Sequence, residues 1–343
     1  MDMLDLLQLA RERAASDLHL TCGHPPHLRI DGRLQALPLP AATAHDLERW
    51  LQPFVEPGQW DRLQAGQEFD LAWASAAAPA LGRCRLHLYR HRLGLAAAVR
   101  LIAHTIPSLQ ALQAPAVLAR LCARSQGLML VTGATGSGQS TLMAAWLADR
   151  CQREALHAIT LEDPVEFVHA DSAGLVHQRE IGRDSAGFDS ALRAALREDP
   201  DVILLGELRD PPTIRLALTA AETGHLVLAS LHAGSAAGAV ERIVDVFAAE
   251  EKALVRTQLA DSLVGIVTQV LCPHISGRGR VAAQEILVAT PAVRNLIREG
   301  RGAQLPTTLQ TGGALGMQTL AQGLAQRMQQ GLIAPQTAGQ MQI

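Results

Sequence analysis

The stretch Gly133-Ala134-Thr135-Gly136-Ser137-Gly138-Gln139-Ser140-Thr141 constrains this chain more than any other. The apolar run Gly127-Leu128-Met129-Leu130-Val131-Thr132 precedes it, and Leu142-Met143-Ala144-Ala145-Trp146-Leu147 follows. Strand, glycine-rich turn and amphipathic helix is the layout of a P-loop. The glycines permit a tight backbone whose N–H groups line an anion nest at a helix N-terminus. The Ser140 hydroxyl is placed to coordinate Mg²⁺. One residue breaks the pattern: the signature G-x-x-x-x-G-K-[ST] puts a lysine where this chain has Gln139.

A length of 343 residues allows two or three domains and a sizeable core. With 48% hydrophobic and 18% charged residues, the composition is that of a soluble globular protein. The net charge of −3 predicts no broad attraction to nucleic acid or anionic lipid. A nucleic-acid role is further disfavoured by the absence of basic residues interleaved with aromatics. Cys22, Cys84, Cys122, Cys151 and Cys272 are scattered without a C-x-x-C pair, which argues for free thiols in a reducing cytosol over disulfides or zinc. The acidic start Met1-Asp2-Met3-Leu4-Asp5 is unlike a signal peptide, and no uncharged apolar run approaches the ~18–20 residues of a membrane span. Membrane association is therefore expected only through a partner.

Along the chain, Leu4, Leu7 and Leu9 suggest an amphipathic helix over residues 1–15. Ser16-Asp17-Leu18-His19-Leu20 and His27-Leu28-Arg29-Ile30-Asp31-Gly32 read as strands, the second ending in an Asp-Gly hairpin. Thr43 is an N-cap for a helix through Leu47, Trp50 and Leu51. Phe69–Trp73 and Arg83–Arg90 alternate as strands, so the first hundred residues form a small α+β domain. The hinge falls at His104-Thr105-Ile106-Pro107-Ser108, dividing a domain 1–105 from a domain 106–343. Beyond it, apolar runs at 127–132, 157–161, 202–206 and 226–230 alternate with helical stretches, as in a buried parallel sheet. From about residue 250 onward helices are expected to dominate, with a helical tail over about 290–343.

Three further constellations carry chemistry. Asp201-Val202-Ile203-Leu204-Leu205-Gly206-Glu207-Leu208-Arg209-Asp210 is an apolar strand ending in an acid, as in a Walker B segment. Glu207 can polarise water or hold Mg²⁺ through water. Thr160-Leu161-Glu162-Asp163-Pro164-Val165-Glu166 crowds three carboxylates, which either form a solvated turn or face a cation or basic groups. His225 and His232 bracket an apolar strand. They suit γ-phosphate sensing or positioning of a carboxylate, or they are structural; their spacing without a third ligand excludes zinc.

These segments, with Ser16-Asp17-Leu18-His19, Gly82-Arg83-Cys84-Arg85 and Leu192–Asp201, resemble the secretion-ATPase (GspE/PilT) superfamily in the same order over nearly the whole chain. Within it, Ala292-Val293-Arg294-Asn295-Leu296-Ile297-Arg298-Glu299-Gly300 and Gly316-Met317-Gln318-Thr319 resemble the PilT-type retraction ATPases of type IV pili. Assembly and secretion ATPases usually carry a tetracysteine zinc module that the cysteine spacing here does not provide. The resemblance implies an α/β protein with a PAS-like N-terminal domain and a RecA-like P-loop domain that binds ATP and Mg²⁺. It implies a homohexamer, or a mixed ring with a paralogous ATPase. The ring would be cytoplasmic, at the inner membrane through a pilus platform protein, without nucleic acid or membrane insertion. It assigns Glu207 as the catalytic glutamate and Glu162, Asp163 and Glu166 as an acidic box, with Glu162 and Asp163 joining Ser140 at the metal and Glu166 counted among the catalytic residues, and His225 and His232 as a catalytic histidine box. Arg85, Arg92 and Arg100 become candidate phosphate contacts, and Arg197 and Arg242 interface residues.

Gln139 leaves three accounts open. Another basic residue replaces the lost charge, or the chain is a nucleotide-holding, hydrolysis-poor subunit, or the glutamine was introduced to trap the protein. A neutral donor in place of the lysine typically costs ~10²–10³ in rate.

Overall fold

The period-two stretches near the N-terminus pair into one antiparallel sheet. In the computed structural model, which describes residues 1–74, 81–102, 105–170 and 173–340, they belong to a first unit, Met1–Thr105, followed by a second, Ile106–Ile343. His104 of the expected hinge and the last three tail residues lie outside the described residues. Helix α1 (Met3–Glu12) is followed by β1 (Asp17–Thr21), β2 (His27–Ile30), β3 (Arg33–Ala36), α2 (Ala44–Leu51), α3 (Pro57–Gln64), β4 (Phe69–Ala74), β5 (Arg83–His91) and β6 (Gly94–Leu101). The six strands lie in the order β3-β2-β1-β6-β5-β4.

Local chemistry explains these elements. Asp31 and Gly32 both have positive φ, the conformation a two-residue hairpin needs, and they close the Ile30–Arg33 pair. Thr43 and Asp46 cap α2 reciprocally, and Leu47, Trp50 and Leu51 are buried. In α1 the buried residues are Met3, Leu6, Leu7 and Ala10, while Leu4 is exposed. The apolar stripe thus starts at Met3 and runs at three- and four-residue steps, with Leu9 partly buried at its edge and Leu4 off it. Leu18, Leu86, Leu88 and Val99 fill the core on one sheet face. Arg29, His87 and Arg100 alternate with such residues along their strands, which places them on the other face.

The second unit comprises α4 (Ala116–Cys122), β7 (Gly127–Thr132), α5 (Gln139–Arg153), β8 (His157–Glu162), β9 (Leu175–Glu180), α6 (Phe188–Ala195), β10 (Val202–Leu205), α7 (Pro211–Glu222), β11 (Leu226–Leu231), α8 (Ala236–Asp245), α9 (Lys252–Ser262), β12 (Leu263–Pro273), β13 (Arg280–Val288), α10 (Pro291–Arg298), α11 (Leu305–Thr311), α12 (Leu320–Gln329) and α13 (Pro335–Gln340). Its sheet runs β13-β12-β7-β11-β10-β8-β9. Every neighbouring pair is parallel except β12 with β13. Strands β7, β10 and β11 are buried at every residue, as a sheet covered on both faces demands. One face packs on Ala217, Leu218, Val240 and Leu259, the other on Leu118, Trp146 and Leu147.

The expectation of a mainly helical chain after residue 250 is corrected here. Residues 263–288 form β12 and β13, and helices take over only from Pro291. Val264, Ile266, Val267, Thr268 and Val270 are β-branched and suit a pleated, buried surface, and β12 pairs in parallel with β7 directly behind the glycine-rich loop. Among the described residues no helix is long and apolar enough to cross a membrane. All five cysteines are free, and burial pushes the Cys84 and Cys122 thiols up to about 12.

Trp146 anchors α5, the helix that the loop opens into, and is fully buried with an indole N–H that has no partner. Its contribution is therefore packing. Trp146→Ala is expected to cost about 3–5 kcal/mol in urea unfolding. Trp146→Phe, which keeps a large ring and removes the orphaned donor, is expected to cost less than half of that.

Candidate functional site

The carboxyl ends of β7, β8, β10 and β11 meet at one edge of the sheet, where an open parallel sheet presents its site. The loop from β7 into α5 has positive φ at Gly133, Gly136 and Gly138. A Cβ on Gly133 would lie 2.4 Å from Ser137 Oγ and 2.5 Å from the Gln269 carbonyl oxygen, so only glycine fits there. Helix α5 begins at Gln139, and the N–H groups of its first turn have no intrahelical acceptor. Ala134, Thr135 and Gly136 are exposed, and Ser140 and Thr141 are half-buried at the start of the helix. A positive helix end framed by a backbone that admits no Cβ is a cradle for phosphate.

Three carbonyls of this loop accept from side chains. Gly133 O accepts from Gln139 Nε2 at 3.2 Å, Gly136 O from Arg280 Nη1 at 3.2 Å, and Ser137 O from Gln269 Nε2 at 2.7 Å. The Gln139 amide also donates to Leu231 O at 3.1 Å, tying the loop to the end of β11. Its N–H groups thus serve the protein's own carbonyls. The chain's sole lysine is Lys252, whose ammonium pairs with Asp245 at 2.6 Å. No other lysine of this chain can take the missing position.

Glu207, just beyond β10, is the centre of the polar cluster. Arg209 reaches its Oε2 at 2.7 Å. That hydrogen bond, then the carboxylate's charge, raises the guanidinium's already high pKa. His232 Nε2 stands 3.4 Å from the other Glu207 oxygen, and His232 Nδ1 lies 3.3 Å from Gly133 O. One imidazole therefore spans the loop and the carboxylate. Gly206 lets β10 close on β8: an added Cβ would sit 3.2 Å from Glu162 Cα.

The acidic box is only partly assembled. Glu162 Oε1 accepts from Thr160 Oγ1 at 2.6 Å and from Gln178 Nε2 at 3.3 Å. Burial nevertheless raises its carboxyl above the usual range, against these bonds and one from the Glu166 backbone. Asp163 is exposed, follows Glu162 into a cis peptide with Pro164, and lies near enough to Arg209 to reinforce its charge. Among the described residues no three histidines, cysteines or acids converge on a metal position. The Ser140 hydroxyl and these carboxylates are oxygen donors at the same edge of the sheet, which suits Mg²⁺, a cation that takes few protein ligands and keeps water.

His225 is not part of this cluster. It stands before β11, whose six residues put about 20 Å between it and His232. Its Nδ1 lies 3.1 Å from Ala220 O, closing the end of α7. In the first unit, Arg85 Nε donates to Asp70 at 3.3 Å and Arg100 Nε to Asp17 at 3.1 Å. Arg85 and Arg100 stand opposite each other in the β5–β6 register, and Arg92 is exposed in the turn joining those strands. Gln269 and Arg280 were not foreseen, because their strands were not. The β-branched alternation around Gln269 and the glycine-arginine turn before Arg280 were the available signals.

Residues 94–335 match the family model described as Type II/IV secretion system protein. The chain is 45% identical over 338 residues to the type IV pilus retraction ATPase PilT of Pseudomonas aeruginosa, covering 98% of this chain and 97% of that one. It is 48% identical over 331 residues to the uncharacterized protein YggR of Escherichia coli K12, covering 96% and 99%. The crystal structure of the pilus retraction motor PilT with bound ADP superposes with a TM-score of 0.86 at 40% identity, covering 99% of this chain and 97% of that one.

The loop geometry sets a contrast between two glycines. Gly133→Ala is expected to lower nucleotide affinity at least tenfold in a fluorescent-ADP titration and to reduce the Tm by several degrees, because the loop must open to admit the methyl group. Gly136→Ala meets nothing within 4 Å. It carries only the cost of its positive φ, about 1 kcal/mol, with nucleotide affinity changed by less than about threefold.

Proposed function

The chain belongs to the Type II/IV secretion system protein family, and on that footing we propose that it is a motor ATPase that drives retraction of type IV pili and hence twitching motility. It acts as a hexamer on the cytoplasmic side of the inner membrane, against a platform protein of the pilus machine. The observation that carries the reading is the junction of a phosphate cradle with Glu207, Arg209 and His232 at the carboxyl edge of one parallel sheet.

The residues divide the task as follows. Gly133 through Thr141 and the start of α5 hold the phosphates through backbone N–H groups. Ser140, Glu162 and Asp163 are the residues that would hold Mg²⁺, which would supply positive charge to offset that of the phosphates. Glu207 orients the attacking water and accepts its proton, and Arg209 and His232 hold that carboxylate in place. Glu166 supports Glu162 through its backbone. Arg85, Arg92 and Arg100 are assigned to the phosphates from the resemblance of their segment. Arg85 and Arg100 are paired with Asp70 and Asp17 on neighbouring strands of their own sheet.

A second reading has a specific observation behind it. The Gln139 amide is engaged with Gly133 O and Leu231 O, and no second lysine exists. A subunit that holds nucleotide without turning it over, within a ring shared with a paralogous ATPase, fits that arrangement. The motor reading needs an arginine to supply the charge, and Arg209 and Arg280 already stand at Glu207 and at the loop.

Steady-state turnover of the purified ring separates the two. The motor reading expects measurable hydrolysis in the unsubstituted chain, abolished by Glu207→Gln and raised by about 10²-fold in Gln139→Lys. Hydrolysis confined to Gln139→Lys assigns the chain to the accessory role. For direction of work, deletion is expected to leave cells with excess, unretracted pili. Loss of piliation would instead make it an extension or secretion motor.

A further inference from the structure

Gly316-Met317-Gln318-Thr319, one of the segments that carried the family resemblance, has no part in the site as described above. The structure connects it to the phosphate loop through one bond to the β13 backbone and two glutamine side chains. Gln318 Nε2 donates to the main-chain carbonyl of Gln284 at 2.7 Å, so it holds that residue's backbone, while Gln284 Oε1 is buried without a partner. Gln284 Nε2 donates to Gln269 Oε1 at 2.9 Å, and Gln269 Nε2 donates to Ser137 O at 2.7 Å. Gln269 and Gln284 are directly opposite in the β12–β13 register and are 3% and 1% exposed. Cross-strand neighbours of this kind share a sheet face, which places the two amides edge to edge.

The direction of the chain is fixed by its last acceptor. Ser137 O can only accept, so Gln269 must turn its NH₂ toward it and its carbonyl toward Gln284. Gln284 must then present its own NH₂. We propose that Gln269 and Gln318 are positioning residues for the nucleotide site, acting through this buried relay to hold the Ser137–Gly138 peptide with its N–H directed into the phosphate cradle. A trans peptide is planar, with its C=O and N–H pointing opposite ways. Holding Ser137 O outward therefore turns Gly138 N–H inward. Gly138, with φ of +86°, offers little resistance of its own to rotation of that peptide.

The outer end of the relay is built for the purpose. Gln318 forms a two-way backbone bridge with Ile286, its N–H donating at 3.1 Å and its carbonyl accepting at 2.8 Å. Met317 is buried in the main core, and Thr319 caps α12. Gly323 brings α12 against the relay, since a Cβ there would meet Gln284 O at 2.5 Å and Gln318 Nε2 at 3.2 Å. The segment just ahead of α12 thus holds the β13 backbone from which the Gln284 and Gln269 amides run to the loop.

This inference rests on the nucleotide-binding reading of the site, so the unsubstituted chain is the control. Fluorescent ADP with Mg²⁺ would be titrated into the full-length ring of the unsubstituted chain, Gln269→Met, Gln318→Met and the double variant, with Tm measured on each. Gln269→Met is expected to weaken binding about tenfold, and Gln318→Met about threefold. In whichever form turns over, KM is expected to rise with kcat little changed. The double variant is expected to bind no worse than Gln269→Met alone, since both act on one peptide. Multiplied effects in the double variant, or lowered Tm with unchanged affinity, overturn the relay while leaving the nucleotide site intact. No binding by the folded, unsubstituted chain would end both readings. Gln318 is only half-buried, so its variant still tests the relay if Gln269→Met does not fold.

Discussion

A loop that turns its N–H groups toward an anion turns its carbonyls the other way, and those shielded from water must find a donor in the protein. That requirement organises the second unit. Gln139 satisfies Gly133 O, Arg280 satisfies Gly136 O, and Gln269 satisfies Ser137 O. The donors come from the helix after the loop, from β13 and from β12. The sheet on that side of β7 is therefore a support for the phosphate cradle as well as a core. Thr132 and Thr268 share a hydrogen bond of 2.8 Å at the root of the loop, where β12 and β7 lie in parallel register. The carboxylate side is built from the strands on the other flank of β7. Glu207 follows β10, His232 follows β11, and Glu162 ends β8.

Much of this was legible because it is local. The strand–glycine–helix sequence of 127–147 specifies its own geometry, and Asp31-Gly32 and Thr43 specify a hairpin and a helix start through neighbours within a few residues. Glu207 and His232 stand out in the sequence for a related reason. Each is the first polar residue beyond an apolar parallel strand, and parallel strands deliver their ends to one edge. The same reasoning puts His225 at the opposite end of β11, since it precedes the strand that His232 follows.

What the sequence concealed is what depends on pairing. Residues 263–288 alternate imperfectly between apolar and polar, and a buried strand with a fully covered face is hard to tell from a helix by period alone. Gln269 and Gln284 look like two unremarkable polar residues in such a run. Their meaning arises only from the antiparallel register that sets them opposite one another and from the parallel register that sets β12 beside β7. The exposed Leu4 in α1 is a smaller case: three leucines suggest a stripe, but the core selects Met3, Leu6, Leu7 and Ala10.

Gln139 can now be read against its surroundings instead of against a motif. A lysine at this position would carry a long, charged side chain past the loop to the phosphates. The glutamine is shorter, and its NH₂ spans Gly133 O and Leu231 O, so the loop is fastened to β11 by the residue that in other P-loops reaches away from it. The substitution therefore exchanges transition-state charge for loop rigidity. The cationic groups that remain nearby are guanidiniums, and each is already bound to an acceptor of the site: Arg209 to Glu207 and Arg280 to Gly136 O. Arg209 engages Glu207 through two of its nitrogens, whereas Arg280 gives Gly136 O only one, so Arg280 keeps more donors for a phosphate. If Arg209 leaves, Glu207 loses the contact that orients it, whereas if Arg280 leaves, only an exposed loop carbonyl is returned to water. Physical economy points to Arg280 as the charge this site can spare.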